Sequence, residues 1–231
     1  MTTNPRSGAD ILDLAPVMPV VVVSEAESAV PLARALVAGG LPGIEVTLRT
    51  PAALEAIERI AAEVPEAVVG AGTVATPDQA AAAAKAGARF LVSPGCTDGL
   101  ASAMSDTGLP FLPGVGTVSE ALALLERGVT EMKFFPAEAS GGAAFLKSLA
   151  GPLPQVRFCP TGGITVASAP AYLALPNVGC VGGSWLTPAD LVAAGEWERI
   201  TGLAGEAAAL SRPPRPGPGG AGAPPTRSRR T

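Results

Sequence analysis

Eight short apolar runs recur along this chain, each followed by a segment with helical character, and that alternation restricts the fold more than any other feature. The runs are 17–23 (VMPVVVV), 43–48 (GIEVTL), 67–72 (AVVGAG), 89–94 (RFLVSP), 110–115 (PFLPGV), 131–136 (EMKFFP), 156–161 (VRFCPT) and 178–183 (VGCVGG). Helical segments lie between them, among them 25–40, 51–64, 77–87 and the stretch VSEALALLERG at 118–128. Several carry end signals. Thr50-Pro51 and Thr76-Pro77 place a capping residue before a proline at the first helical position. Gly39, Gly87 and Gly128 stand where helices commonly stop in a left-handed residue. Runs that are apolar on both faces belong to buried parallel strands. A β/α repeat of roughly 20–25 residues, made eight times, predicts an α/β chain folded as a TIM (β/α)8 barrel over residues 11–210. An open doubly wound sheet is the alternative, but nothing at the first turn resembles its GxGxxG fingerprint.

The ends read differently. Residues 1–10 look like a flexible lead-in. Residues 211–231, rich in proline, glycine and arginine without an apolar period, are expected to be disordered.

Composition removes several functions. Hydrophobic residues make up 48% of the chain, yet no uninterrupted run reaches the roughly 18–20 residues of a spanning helix. The N-terminus lacks the layout of a signal peptide, so a cytoplasmic protein without a membrane partner is expected. There is no histidine, which excludes a histidine-dependent triad and imidazole acid/base work. Cys96, Cys159 and Cys180 are widely spaced and odd in number, matching neither a disulfide framework nor a metal knuckle. They read as small buried hydrophobes, and no metal site is expected. The net charge of −4 conceals five arginines after residue 211; without them eleven basic residues face twenty acids, a charge of −9. An acidic body argues against nucleic acid as a partner.

Charged residues inside buried strands are costly unless paired or functional. In GIEVTLRT, strand alternation puts Glu45, Thr47 and Arg49 on one face and Ile44, Val46 and Leu48 on the other. Arg49 falls at the strand's C-terminal end, where barrel active sites are built. An internal Glu45–Arg49 ion pair would explain the same pattern structurally. Of the three lysines, Lys85 and Lys147 lie in helical settings and only Lys133 lies in a strand. Removing an amine from water favours its neutral form, and a neutral amine adds to a carbonyl to give a Schiff base. Otherwise Lys133 is a structural lysine paired to a carboxylate. The glycine turns PTGGI (160–164) and VGGSW (181–185) end the last two runs. Loops in those positions commonly hold phosphate through backbone N–H groups, and a plain tight turn is the alternative.

The motifs EVTLRT, VGAGTV, FLVSPG, MKFFPAE, VRFCPTGGI and GGSWL, in this order and spacing, closely resemble the class I 2-keto-3-deoxy-6-phosphogluconate (KDPG) aldolases, also known as 4-hydroxy-2-oxoglutarate (KHG) aldolases. The resemblance spans about residues 11–210. It implies a homotrimeric barrel of the Entner–Doudoroff pathway that acts on a keto-acid phosphate without metal or cofactor. It matches Lys133 to the Schiff-base lysine and Glu45 to the general acid/base. Arg49 and Thr73 match the groups that hold the pyruvyl carboxylate. Pro94 and Phe135 match the pocket walls, and Thr161 a position beside the substrate chain. Gly162, Gly163 and Ser184 match the phosphate site.

Overall fold

The computed structural model of the protein describes residues 4–211. The expectation for the tail beyond Ser211 lies outside the described residues. Among the described residues nine strands form: β1 (Val17–Val21), β2 (Gly43–Thr47), β3 (Val68–Gly72), β4 (Leu91–Val92), β5 (Phe111–Leu112), β6 (Gly114–Val115), β7 (Glu131–Phe134), β8 (Arg157–Pro160) and β9 (Val181–Gly183). Ten α-helices accompany them: α1 (Gly8–Asp13), α2 (Ala29–Ala38), α3 (Ala53–Glu63), α4 (Pro77–Lys85), α5 (Asp98–Asp106), α6 (Val118–Glu126), α7 (Gly142–Leu149), α8 (Ala169–Leu173), α9 (Ala189–Ala194) and α10 (Trp197–Ala208).

The strand pairs are parallel, but they do not form the single closed eight-stranded TIM barrel expected from the repeat. Six strands form one sheet in the order β5-β4-β3-β2-β1-β9, and three form another in the order β6-β7-β8. The fifth apolar run supplies the break. Pro113 separates β5 from β6 and has no N–H to give to a ladder. The next donor, the Gly114 N–H, goes to the Ser93 hydroxyl at 3.1 Å instead of to a strand. On the other side, where Pro160 ends β8 without a donor, the β-pairing between the sheets among the described residues is reduced to the isolated bridges Phe158↔Val178 and Thr161↔Gly182. The α/β class stands; the closed barrel is replaced by two parallel sheets.

Strand alternation sorts the core into two layers. Ile44, Val46, Val69, Met132, Phe134 and Phe158 pack outward with the helices. Phe134 stacks on Phe145 with centroids 5.2 Å apart, and burying a ring of that size stabilises the fold by about 2–3 kcal/mol. Met18, Val68, Phe90, Val92, Leu112, Cys159 and Cys180 form an inner cluster with Ile11 and Leu12 of α1. Helix α1 starts within the stretch read as a lead-in. Its signal is Ser7-x-x-Asp10 before Ile11-Leu12: the Asp10 N–H donates to Ser7, and the Asp10 carboxylate accepts from the Arg6 and Ser7 N–H groups. The Arg6 contact leads in holding that carboxyl below its ordinary value.

Two end signals act elsewhere than expected. Thr76 caps α4, accepting from the Gln79 N–H, but Thr50 does not cap α3. Its hydroxyl donates to the Val23 carbonyl, tying the chain after β2 to the chain after β1. Helix α2 ends with Gly40 in the left-handed region at φ +91°, one residue after Gly39, whose φ is −78°.

Candidate active site

The C-terminal ends of the strands converge on one cavity of about 350 Å3. In parallel α/β folds the loops at that end are free to vary while the strands hold them rigidly. Arg49, Thr73, Pro94, Lys133, Phe135, Thr161, Gly162, Gly163 and Ser184 all line it. Glu45 stands behind Lys133, only 1% exposed. The ten candidate residues therefore meet, although they come from six loops and strands spread over 140 positions.

At the floor, Lys133 donates its Nζ–H to Glu45 Oε1 at 2.9 Å. Both groups are buried, with side-chain exposures of 5% and 1%. The Lys133 Nζ also sits 5.5 Å from the centre of the Phe135 ring. The ring is a cation-π partner when the amine is charged and a dry wall when it is neutral. Glu45 fits because β3 offers no side chain opposite it: a Cβ at Gly72 would overlap the carboxylate. The internal Glu45–Arg49 pair weighed on sequence grounds does not form. Glu45 is held by Lys133 of the other sheet.

Arg49 donates its Nε–H to Thr47 Oγ1 at 3.2 Å and forms no ion pair with an acid among the described residues. Thr47 is 1% exposed and donates its own hydroxyl to the Val21 carbonyl at 3.0 Å. The guanidinium's forked end is thus positioned from below and open to an anion. Thr73, directly after β3, is the one non-glycine residue with positive φ (57°) among those described. A β-branched residue in that region costs on the order of 1–3 kcal/mol, and such strain collects at functional sites.

The far rim is the pair of glycine turns. Gly162 and Gly163 have φ of +104° and +81°, which an L side chain rarely adopts. The Gly163 and Ile164 N–H groups donate to no protein acceptor among the described residues. Ser184 follows β9 on the same rim. Polarity therefore grades from a buried amine–carboxylate pair at the floor to a guanidinium and backbone donors at the edge. Val20, Thr47, Ile164 and Gly182 also line the cavity and were not assigned a role from sequence. Thr47 was within reach, since strand parity sets it between Glu45 and Arg49. Gly182 was not: its lack of a side chain makes room for the Thr161 hydroxyl, a contact between distant segments. A larger groove of about 660 Å3 shares Val20 and Ser184 with this cavity but is lined by neither lysine nor arginine.

Cys159 and Cys180 are buried in the inner cluster, and Cys96 is half-buried on the loop after β4. Burial pushes the Cys96 thiol above its ordinary value, so it is not activated. Among the described residues no three His, Cys, Asp or Glu side chains gather to hold a metal. None of the described helices is long and apolar enough to cross a membrane.

The family profile described as KDPG and KHG aldolase matches residues 9–203. The KHG/KDPG aldolase of Escherichia coli K12 is 55% identical over 201 residues, covering 87% of this chain and 94% of that protein. The 2-dehydro-3-deoxy-phosphogluconate aldolase of Dickeya dadantii is 53% identical, covering 88% and 95%. Among solved structures, Legionella pneumophila KDPG aldolase, with pyruvate captured as a covalent carbinolamine, aligns with a TM-score of 0.86 at 46% identity, covering 87% of this chain and 98% of that one. The Zymomonas mobilis ZM4 enzyme with 3-phosphoglycerate aligns at 0.84 with 50% identity, covering 90% and 98%. This chain belongs to the KDPG and KHG aldolase family.

Proposed function

We infer that this chain is a class I aldolase that cleaves 2-dehydro-3-deoxy-6-phosphogluconate to pyruvate and glyceraldehyde 3-phosphate, and 4-hydroxy-2-oxoglutarate to pyruvate and glyoxylate. The observation that carries this reading is the buried Lys133–Glu45 pair at 2.9 Å in a cavity also lined by Arg49, which meets no acid among the described residues. The pyruvate carbinolamine captured in the Legionella relative supports it.

The pair closes a proton ledger. Arg49 and Thr73 hold the substrate carboxylate, setting C2 beside Lys133. The lysine passes a proton to Glu45 and its neutral amine adds to C2. Glu45 returns the proton to the departing hydroxyl, and water leaves as the imine forms. Glu45, again a carboxylate, takes the proton of the C4 hydroxyl, directly or through a water. The C3–C4 bond breaks, its electrons move to the imine nitrogen, and the aldehyde departs. The resulting enamine regains a proton at C3, and hydrolysis frees pyruvate and the amine. No metal or cofactor enters this scheme. Phe135 and Pro94 wall the reacting end, and Thr161 stands beside the substrate chain. Gly162, Gly163 and Ser184 take the distal phosphate, and that binding energy orients the reacting carbons.

The test is pyruvate release by the purified chain from each substrate. Release from both, with Ser184→Ala raising KM for the phosphorylated substrate alone, is the expected result. Release from neither contradicts the assignment. The reading also carries a homotrimer in the cytoplasm, and light scattering of the full chain checks the assembly: a monomeric mass contradicts it.

A further inference from the structure

Beside the glycine rim stands an acid that the chemistry above leaves unused. The segment after Lys133 runs back against the Gly162–Gly163 turn: the Ala137 N–H donates to the Thr161 carbonyl at 2.8 Å and the Glu138 N–H to the Gly162 carbonyl at 3.1 Å. The Glu138 stem fills the space beside Gly163, where an added Cβ would meet its Cγ at 2.7 Å and its Cβ at 2.8 Å. A carboxylate so close to backbone donors with no other acceptor is a rival for any anion they receive. Here the carboxylate has another partner. Glu138 Oε1 accepts the hydroxyl of Tyr172 at 2.7 Å, and Tyr172 is 1% exposed at α8. The same hydroxyl lies against the start of α7, where a Cβ added at Gly142 would meet it at 3.2 Å.

We propose that Tyr172 is a positioning residue that tethers Glu138 away from the glycine turn and so keeps the turn open to the substrate phosphate. The inference rests on the phosphate reading of that turn. Burial and then the Glu138 contact push Tyr172 ionisation upward, so the hydroxyl remains a donor across the neutral range. Loss of the tether frees a charge that competes with phosphate, and the penalty falls only on substrates that carry one.

The experiment is steady-state cleavage of the phosphorylated six-carbon substrate and of 4-hydroxy-2-oxoglutarate. It compares wild type, Tyr172→Phe, and the double variant Tyr172→Phe with Glu138→Gln. Tyr172→Phe keeps the buried ring and removes only the hydroxyl. It raises KM for the phosphorylated substrate roughly 5- to 10-fold, the scale of one lost hydrogen bond, and leaves 4-hydroxy-2-oxoglutarate kinetics within about twofold. The double variant, with the rival charge gone, returns the phosphorylated KM to within about twofold of wild type. Equal losses on both substrates, no loss in Tyr172→Phe, or no rescue in the double variant overturns the tether. A wild-type enzyme with no preference for the phosphorylated substrate overturns the phosphate reading and the tether together. A wild-type preference that is undiminished in Tyr172→Phe overturns the tether alone.

Discussion

The Lys133 amine of one sheet and the Glu45 carboxylate of the other lie 2.9 Å apart, both buried at the floor of the cavity. Neither partner is spare. Removing one charge of a buried pair leaves the other without compensation, at about 3–5 kcal/mol. The pair is therefore tested with a substitution that keeps a hydrogen-bond acceptor. Glu45→Gln retains an amide oxygen for Lys133 but cannot take a proton. Turnover falls about 100- to 10,000-fold, and the covalent adduct with pyruvate still forms on long incubation but correspondingly more slowly. Unchanged turnover removes Glu45 from its role.

Thr47 supports Arg49. Thr47→Val keeps the shape and removes the hydroxyl that accepts from Arg49 and donates to Val21. The predicted effect is a roughly 3- to 10-fold rise in the KM for pyruvate in the condensation direction, with kcat nearly unchanged. A fall in kcat alone contradicts the positioning role.

Strain at Thr73 separates stability from function. Thr73→Gly relieves the φ of 57° and gives back part of the gain through the flexibility of glycine in the unfolded chain. Thermal denaturation is expected to show a Tm equal to or above wild type, while the KM for pyruvate rises. A large drop in Tm contradicts the strain argument.

Acid stability has one addressable contributor at α6. The Glu120 carboxylate accepts the Gly116 N–H at 2.7 Å and the Thr117 N–H at 2.9 Å, and the Gly116 bond leads in lowering its pKa from 4.5. A lowered folded-state value contributes stability above the unfolded pKa and loses it as pH falls through the folded one. Glu120→Ala is therefore destabilised by about 0.5 kcal/mol at neutral pH. The gap from wild type closes as pH falls below 4.5, and a gap that widens in acid contradicts this sign.

Local periodicity made the strand runs, their faces and the identity of the lysine legible. Parity in GIEVTLRT put Glu45, Thr47 and Arg49 on one side, where they stand. It was silent on which cation Glu45 meets, because Lys133 lies 88 residues away on the other sheet. The closed barrel followed from counting apolar runs. Counting cannot register that Pro113 lacks a donor and that Gly114 donates to Ser93, the details that divide the fifth run. Thr50-Pro51 read as a cap because local sequence hides the Val23 carbonyl that draws the hydroxyl away. The Tyr172–Glu138 contact was hidden for the same reason.

The proposed chemistry depends on a covalent bond at Lys133. Incubating the wild-type chain with pyruvate, reducing with borohydride and mapping the peptides by mass spectrometry tests it without any variant. The expected product is one reduced pyruvyl group per chain, on Lys133 and on neither Lys85 nor Lys147. An unmodified Lys133 after full reduction would contradict it.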